Sequence, residues 1–354
     1  MNLLILGGTG AMGSHLTEIL SKQKCMTNIF VTSRSAKECK DCVTFLKGNA
    51  HDIPFLKSAL KLYQWDAIVD FMTYTTEEFQ QRVNLLLSST KQYIFLSSSR
   101  VYANCNTYLT EDSPRLLDVC GDNSYLATDE YALRKARQEN ILKKNSKKNW
   151  TVIRPYVTFS EYRLQLSPLE KEFWLYRALK GRTIVFSKDL ANKITTITYG
   201  YDVARGIASL INCKEALGES FHVVGNESFE WSEILSFYLD AIEAQTGKRP
   251  KVKMVDKWKP YLGGNHYQVK WDRIYDRLFD NTKINHYIDT DTFMPIRNSI
   301  NCCISDFIMK PQFKPINWGC EARKDRLTKE WASFSEIKGV WHKIMYYVVR
   351  FGIC

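Results

Sequence analysis

Strand-sized apolar runs alternate with helix-spaced apolar positions through the first 155 residues, and a glycine-rich turn directly follows the first run. Together these predict an α/β fold, a doubly wound parallel sheet with helices on both faces. A third observation adds a smaller α+β lobe: beyond Pro155 the strict alternation loosens.

The elements are read in order. Leu3 to Leu6 is a first buried strand, ending at Gly7-Gly8-Thr9-Gly10. Met12, Leu16, Ile19 and Leu20 then recur at helical spacing. Asn28 to Thr32 and Val43 to Leu46 are the second and third strands, and Phe55, Leu56, Ala59 and Leu60 mark a helix. Ala67 to Phe71 and Tyr93 to Leu96 are two more buried strands, separated by a helix around Gln80 to Leu87. Leu126 to Lys144 is expected to be one helix, and Thr151 to Ile153 a strand ending at Pro155. Later, Asp202 to Ile211 reads as a helix and Ser220 to Val224 as a strand. Glu230 to Thr246 is an amphipathic helix closed by Gly247, and Val252 to Val255 a strand. The expected organisation is a sheet domain of residues 1–155 with 196–225, a substrate lobe of 156–195 with 226–300, and a C-terminal extension, 301–354, of unassigned role.

The whole-chain totals narrow the classes. With 354 residues and 45% hydrophobic content the chain can bury a sizeable core. No apolar run reaches membrane-spanning length, and the start lacks the pattern of a secretory signal, so the expected location is the cytoplasm. The ten cysteines are irregularly spaced and are expected to be reduced thiols. The lone Cys39-x-x-Cys42 has no second pair to complete a zinc site, and the six histidines show no ligand spacing, so no metal is expected. The net charge of +11 favours polyanionic partners. No block resembles a nucleic-acid motif, so a phosphate-bearing small molecule is expected instead. Arg163, Lys193 and Arg273 are candidate diphosphate contacts, set against the plainer reading of solvated basic residues.

Gly7, Gly10 and Gly13 have G-x-x-G-x-x-G spacing between a strand and a helix. In such a turn the first glycine permits the tight bend and the second lets backbone approach a pyrophosphate. The third lets helix and strand pack closely, while the helix N-terminus favours negative charge. The loop Gly7, Thr9, Gly10, Ala11, Met12 and Gly13 is therefore a candidate dinucleotide cradle of a Rossmann sheet. An NAD enzyme would place a carboxylate at the end of the second strand, to accept from the ribose 2′-hydroxyl. Here the sequence is Thr32-Ser33-Arg34-Ser35. Arg34, helped by Ser33, suits the 2′-phosphate of NADP; the alternatives are a solvated arginine and NAD.

Tyr131 and Lys135 form a Y-x-x-x-K that puts phenol and ammonium on one helix face. A neighbouring ammonium favours the phenolate and suits the phenol to general-base work. Upstream, Ser97, Ser98 and Ser99 place hydroxyls at the carboxyl end of a buried strand, the edge where doubly wound sheets bind ligands.

With these motifs in this order, the chain resembles the extended short-chain dehydrogenase/reductases, the NAD-dependent epimerase/dehydratases of nucleotide sugars. The resemblance rests on the glycine loop, Ser97 to Tyr102, Thr110 to Pro114, Tyr131 with Lys135, Arg154-Pro155-Tyr156 and Asp202-Val203-Ala204. It covers roughly residues 1–290, in an atypical branch marked by Gly218 to Trp231 and Phe279 to Lys283. It implies Tyr131 as general base, Lys135 as the residue that orients the ribose and lowers the phenol's pKa, and Ser98 as the hydrogen-bond partner of the sugar oxygen. Ser97 or Ser99 takes that place if the register slips by one. It also implies cofactor contacts from Asn49 and Ala50 after the third strand, Phe71 and Met72 after the fourth, and Pro155, Tyr156 and Val157 after the sixth.

One departure narrows the chemistry. The family's 4,6-dehydratases carry an Asp-Glu pair where this chain has Ser99 and Arg100, so dehydration is disfavoured. What remains is hydride transfer at a carbon of a nucleotide-activated sugar, by an epimerase or a ketone reductase. The alternative is a non-catalytic relative that binds a dinucleotide or RNA. A homodimer is expected. The basic, aromatic tail from Ile337 to Cys354 is expected to pack on the core or a second subunit, with contact to a membrane surface as the alternative.

Overall fold

The computed structural model describes residues 1–22, 28–39 and 42–352. The chain folds as two compact units. The first comprises Met1–Ser160, Thr196–Glu227 and Leu278–Met294; the second comprises Glu161–Thr195, Ser228–Arg277 and Pro295–Cys354.

The first unit holds a seven-stranded sheet of β1 (Asn2–Leu6), β2 (Asn28–Ser33), β3 (Val43–Lys47), β4 (Trp65–Asp70), β5 (Thr90–Leu96), β6 (Trp150–Pro155) and β7 (Glu219–Val223). All neighbours are parallel, in the order β7-β6-β5-β4-β1-β2-β3. The strands are near-continuous apolar runs because both faces are covered. Side chains alternate between two cores. Leu3, Ile5, Ile29 and Val31 pack against α1 (Gly13–Lys22) and the helix Gly200–Leu210 on one face. Leu4, Leu6, Ile68 and Phe95 face α2 (Ile53–Leu60), α3 (Thr76–Ser88) and α4 (Tyr131–Lys144) on the other. Gly200–Leu210 is α5. The chain winds outward from β1 through β2 to β3, then from β4 through β5 to β6. The order therefore reverses between β1 and β4, the switch point where such sheets place ligands.

The expected helix Leu126 to Lys144 is broken. A short turn, Asn123–Leu126, precedes it, and α4 begins at Tyr131. The Glu130 carboxylate stops the helix there by accepting from Ala132 N at 2.8 Å. Two unit boundaries also differ from expectation. Residues 278–294, expected in the lobe, fold with the sheet: Leu109 bridges Phe279, and Arg205 donates to the Thr292 carbonyl at 2.9 Å. Residues 301–354, expected as a separate extension, belong to the second unit.

That unit is built on α6 (Trp231–Thr246), which buries Trp231, Ile234, Tyr238 and Ile242. Tyr238 lies against Trp174, ring centroids 4.6 Å apart. It also holds a parallel pair, Ile184–Ser187 with Val252–Val255, and three longer helices toward the C-terminus. These are α7 (Ile296–Met309), α8 (Trp318–Thr328) and α9 (Val340–Phe351). Arg177, fully buried, ties α8 in by donating to Glu321 at 2.8 Å and Asp325 at 2.7 Å. Such arginines carry no apolar periodicity, so this anchoring of α8 had no signature in the sequence.

Candidate active site

The turn after β1 is shaped by backbone demands. Gly7 has φ +68°, a left-handed conformation that favours glycine, and its N–H donates to Thr32 Oγ1 at 2.9 Å. A Cβ on Gly13 would sit 2.5 Å from Gly8 Cα, so the first turn of α1 packs directly on the loop. A Cβ on Gly10 would meet nothing within 4 Å, which leaves that backbone open to a ligand. Two further glycines, given no role from the sequence, are fixed by close contacts. Gly8 faces inward, where a Cβ would lie 2.6 Å from Ile5 Cγ2; at Gly200, the start of α5, it would lie 2.7 Å from the Ala11 carbonyl oxygen. The open backbone at Gly10 and the α1 N-terminus fit a dinucleotide pyrophosphate.

The other candidate cofactor residues lie at or just beyond the sheet's carboxyl edge. At the end of β2, Ser33 is buried, with Oγ donating to the Ser35 carbonyl at 2.8 Å, while Arg34 is exposed. After β3, Asn49 is exposed and accepts from His51 N at 3.1 Å, and Ala50 is buried. After β4, Phe71 N donates to Leu6 O at 3.0 Å, and Met72 Sδ lies 2.9 Å from where a Gly7 Cβ would be. Thr9, Ala11 and Met12 complete the loop. At the end of β6, Pro155 and Tyr156 are buried, and Tyr156 packs on Phe279 at 5.2 Å. Val157 has φ +33°, a conformation a β-branched residue holds only when its surroundings impose it.

The three serines after β5 have different fates. Ser97 Oγ donates to Glu139 at 2.5 Å, and Ser99 Oγ to the Arg154 carbonyl at 2.8 Å. Ser98 Oγ accepts from Arg100 N at 3.2 Å. Ser97 and Ser99 are thus committed inward, and of the three Ser98 is the one whose hydroxyl accepts from a backbone N–H rather than donating to a protein acceptor.

Lys135 is buried, and its Nζ donates to the Leu96 carbonyl at 2.6 Å, 4.6 Å from the Phe95 ring centre. Burial pushes its pKa down to about 8, against the attraction of Asp70. Asp70 was missed from sequence, although an acid closing the run Ala67-Ile68-Val69 was a legible anomaly. It is buried and accepts from Tyr93 Oη at 2.8 Å and Met72 N at 2.9 Å. Burial raises its pKa. Tyr131, half-buried, opens α4, and the Arg100 guanidinium stands 5.2 Å from its ring centre. Glu130 fixes that arginine through an ion pair at 2.8 Å and accepts from Tyr125 Oη at 3.0 Å. The start of α4 and the end of β5 thus bring Ser98, Arg100, Tyr131 and Lys135 to one edge of the sheet.

Beneath them lies a buried charge cluster. Arg154 donates to Glu139 at 2.9 and 2.8 Å, and Arg115 reaches the same carboxylate at 3.1 Å. In the second unit, Arg273 is buried against Asp272, which removes it as a diphosphate contact, and Arg163 pairs with Glu170 at 3.3 Å. Among the described residues no His/Cys/Asp/Glu cluster could hold a metal, and eight cysteines are free thiols; Cys25 and Cys354 lie outside the described residues. No helix among them is long and apolar enough to cross a membrane.

The sequence pattern of the NAD dependent epimerase/dehydratase family matches residues 3–224, more than half of the chain. The chain belongs to that family. Solved structures similar to this family member include a dTDP-glucose 4,6-dehydratase from Bacillus anthracis in complex with NAD. It is 17% identical, with 88% of this chain and 97% of that one covered and a TM-score of 0.65. A UDP-glucuronic acid 4-epimerase from Bacillus cereus, in complex with UDP-glucuronic acid and NAD, is 14% identical, with 87% and 99% covered and a TM-score of 0.65. At such identities the likeness shows the fold. A curated relative, the chloroplast stem-loop binding protein of 41 kDa b of Arabidopsis thaliana, is 26% identical over 239 residues. The match covers 64% of this chain and 59% of that protein.

Proposed function

We propose that this family member is an NADP(H)-dependent enzyme that transfers hydride at a carbon of a nucleotide-activated sugar, as an epimerase or a ketone reductase. The observation that supports it is the carboxyl edge of β5, where Ser98 is the one serine of three not committed inward, Lys135 donates to the Leu96 carbonyl and Tyr131 opens α4. A nicotinamide dinucleotide, when bound, supplies or accepts the hydride. The glycine loop and the N-terminus of α1 would hold its pyrophosphate, and Arg34, exposed at the end of β2, its 2′-phosphate. Tyr131 takes the proton from the sugar hydroxyl during oxidation and returns it during reduction. The Arg100 guanidinium stands 5.2 Å from the Tyr131 ring centre. Ser98 donates to the same sugar oxygen and orients it. At the positions of the dehydratases' acid pair, Ser99 is turned inward and Arg100 is cationic, so neither supports elimination of water.

The test is a panel of nucleotide sugars offered with NADP(H) and NAD(H), following nicotinamide absorbance and product stereochemistry. Turnover that falls by at least about 100-fold in Ser98→Ala supports the reading; elimination products, or activity indifferent to Ser98, contradict it. A second reading, binding of structured RNA, is favoured by the net charge of +11 and by the stem-loop binding recorded in the name of the 26% identical relative. Salt-dependent RNA binding without turnover of any sugar would establish it instead.

A further inference from the structure

The helix α9 has two unlike sides, both within the second unit. Its inner side is anchored: Tyr346, fully buried, donates to Asp325 at 2.5 Å and accepts from Ala332 N at 2.6 Å. Arg350 Nε donates to the Glu330 carbonyl at 2.7 Å. Its outer side is apolar and open. Trp341 is 82% exposed, Phe351 62% and Ile344 49%, and Met345 lies beside them at helical spacing. Trp331 and Phe334, in the segment leading to the helix, are also exposed.

The charge around this stripe is one-sided. Residues 318–352 contain four acids, Glu321, Asp325, Glu330 and Glu336, and all four are engaged. Arg177 takes Glu321, Asp325 and Glu330; Arg182 takes Asp325 and Glu336; Lys324 takes Glu321. The cations Arg323, Arg326, Lys329 and Lys338 are exposed, and Lys343 and Arg350 half-exposed. Arg326 lies against Gly352 at the C-terminal end of the helix, and Lys343 lies over the Phe334 ring at 4.1 Å. A second copy of this face would bring like charges together. A surface of anionic headgroups over apolar chains is complementary to both the stripe and its rim. At 12 residues the helix is too short to span a bilayer, but it suits an in-plane seat with tryptophan at headgroup level.

We propose that α9 seats the protein on an anionic membrane surface, with Trp341, Ile344, Met345 and Phe351 entering the interface and Lys338, Lys343 and Arg326 meeting headgroups. The proposal goes beyond the catalytic reading and does not depend on it. The experiment is co-sedimentation of the full chain with vesicles of phosphatidylcholine alone, or of phosphatidylcholine and phosphatidylglycerol in equal parts, at low and high salt. Sedimentation velocity without lipid runs alongside. The expected result is binding to the anionic vesicles only, weakened by salt. Trp341→Ser with Ile344→Ser should abolish it. Lys338→Gln with Lys343→Gln should weaken it about 30-fold, each lysine being worth about fivefold at such a surface. These side chains are not in the core, so an unchanged melting temperature verifies the fold. Equal binding to both vesicle types, or to neither, overturns the proposal. So does self-association in solution that Trp341→Ser with Ile344→Ser removes, which assigns the stripe to a subunit contact.

Discussion

Replacing Lys135 by methionine separates what the lysine costs the fold from what it gives the site. Its ammonium is buried on the Leu96 carbonyl, and burial pushes its pKa down to about 8. In the unfolded chain the same group titrates near about 10.4. Between those values the unfolded state binds more protons than the folded one, so the lysine's contribution to stability rises with pH. Below pH ~8 it is charged in both states, and its desolvation costs about 3 kcal/mol. From about pH 7.5 to about pH 9.5 roughly 2 kcal/mol of that cost is relieved. Lys135→Met has no such group. The variant also leaves the Leu96 carbonyl without this donor, a loss of about 1 kcal/mol or more that does not vary with pH. The assay is urea unfolding of both proteins across that range, taking the difference at each pH so that other titrating groups cancel. Wild type should gain on the variant by about 2 kcal/mol, while the variant's turnover is lost. A difference that stays constant with pH would refute the account of a buried, proton-releasing lysine.

Four further outcomes follow from the same geometry. Arg34→Ala should weaken NADPH binding on the order of 10- to 100-fold, as expected for a charge-assisted phosphate contact, and leave NADH unchanged, read by titration calorimetry. Gly13→Ala, whose Cβ would stand 2.5 Å from Gly8 Cα, should cost about 1–3 kcal/mol in thermal unfolding. Gly10→Ala, with open space around the new methyl, should melt like wild type but bind dinucleotide more weakly. Arg100→Gln removes a cation 5.2 Å from the Tyr131 ring, so kcat/KM in a steady-state assay should fall; an unchanged kcat/KM would make the arginine purely structural.

The doubly wound sheet was legible because strands buried on both faces are written as continuous apolar runs, such as Leu3 to Leu6 and Ile94 to Leu96. The glycine turn was legible because its spacing answers a local demand of the strand–turn–helix backbone, a bend at Gly7 and close approach at Gly13. Other features have no such local signature. The break before Tyr131 is made by one side chain, Glu130, taking a backbone N–H and a tyrosine hydroxyl. The choice among Ser97, Ser98 and Ser99 depends on Glu139 and the Arg154 carbonyl, which lie 42 and 55 residues away in the chain. The C-terminal helices are held by Arg177 and Arg182, polar anchors that a search for apolar periodicity passes over.

The role proposed for Tyr131 is to move the proton while hydride is exchanged with a sugar carbon. Its most direct test is rapid mixing of Tyr131→Phe, saturated with cofactor, with a nucleotide sugar that wild type turns over, following the nicotinamide chromophore. The variant should bind cofactor with unchanged affinity and lose at least about 100-fold in the rate of the absorbance change. A variant that exchanges hydride at the wild-type rate would contradict it.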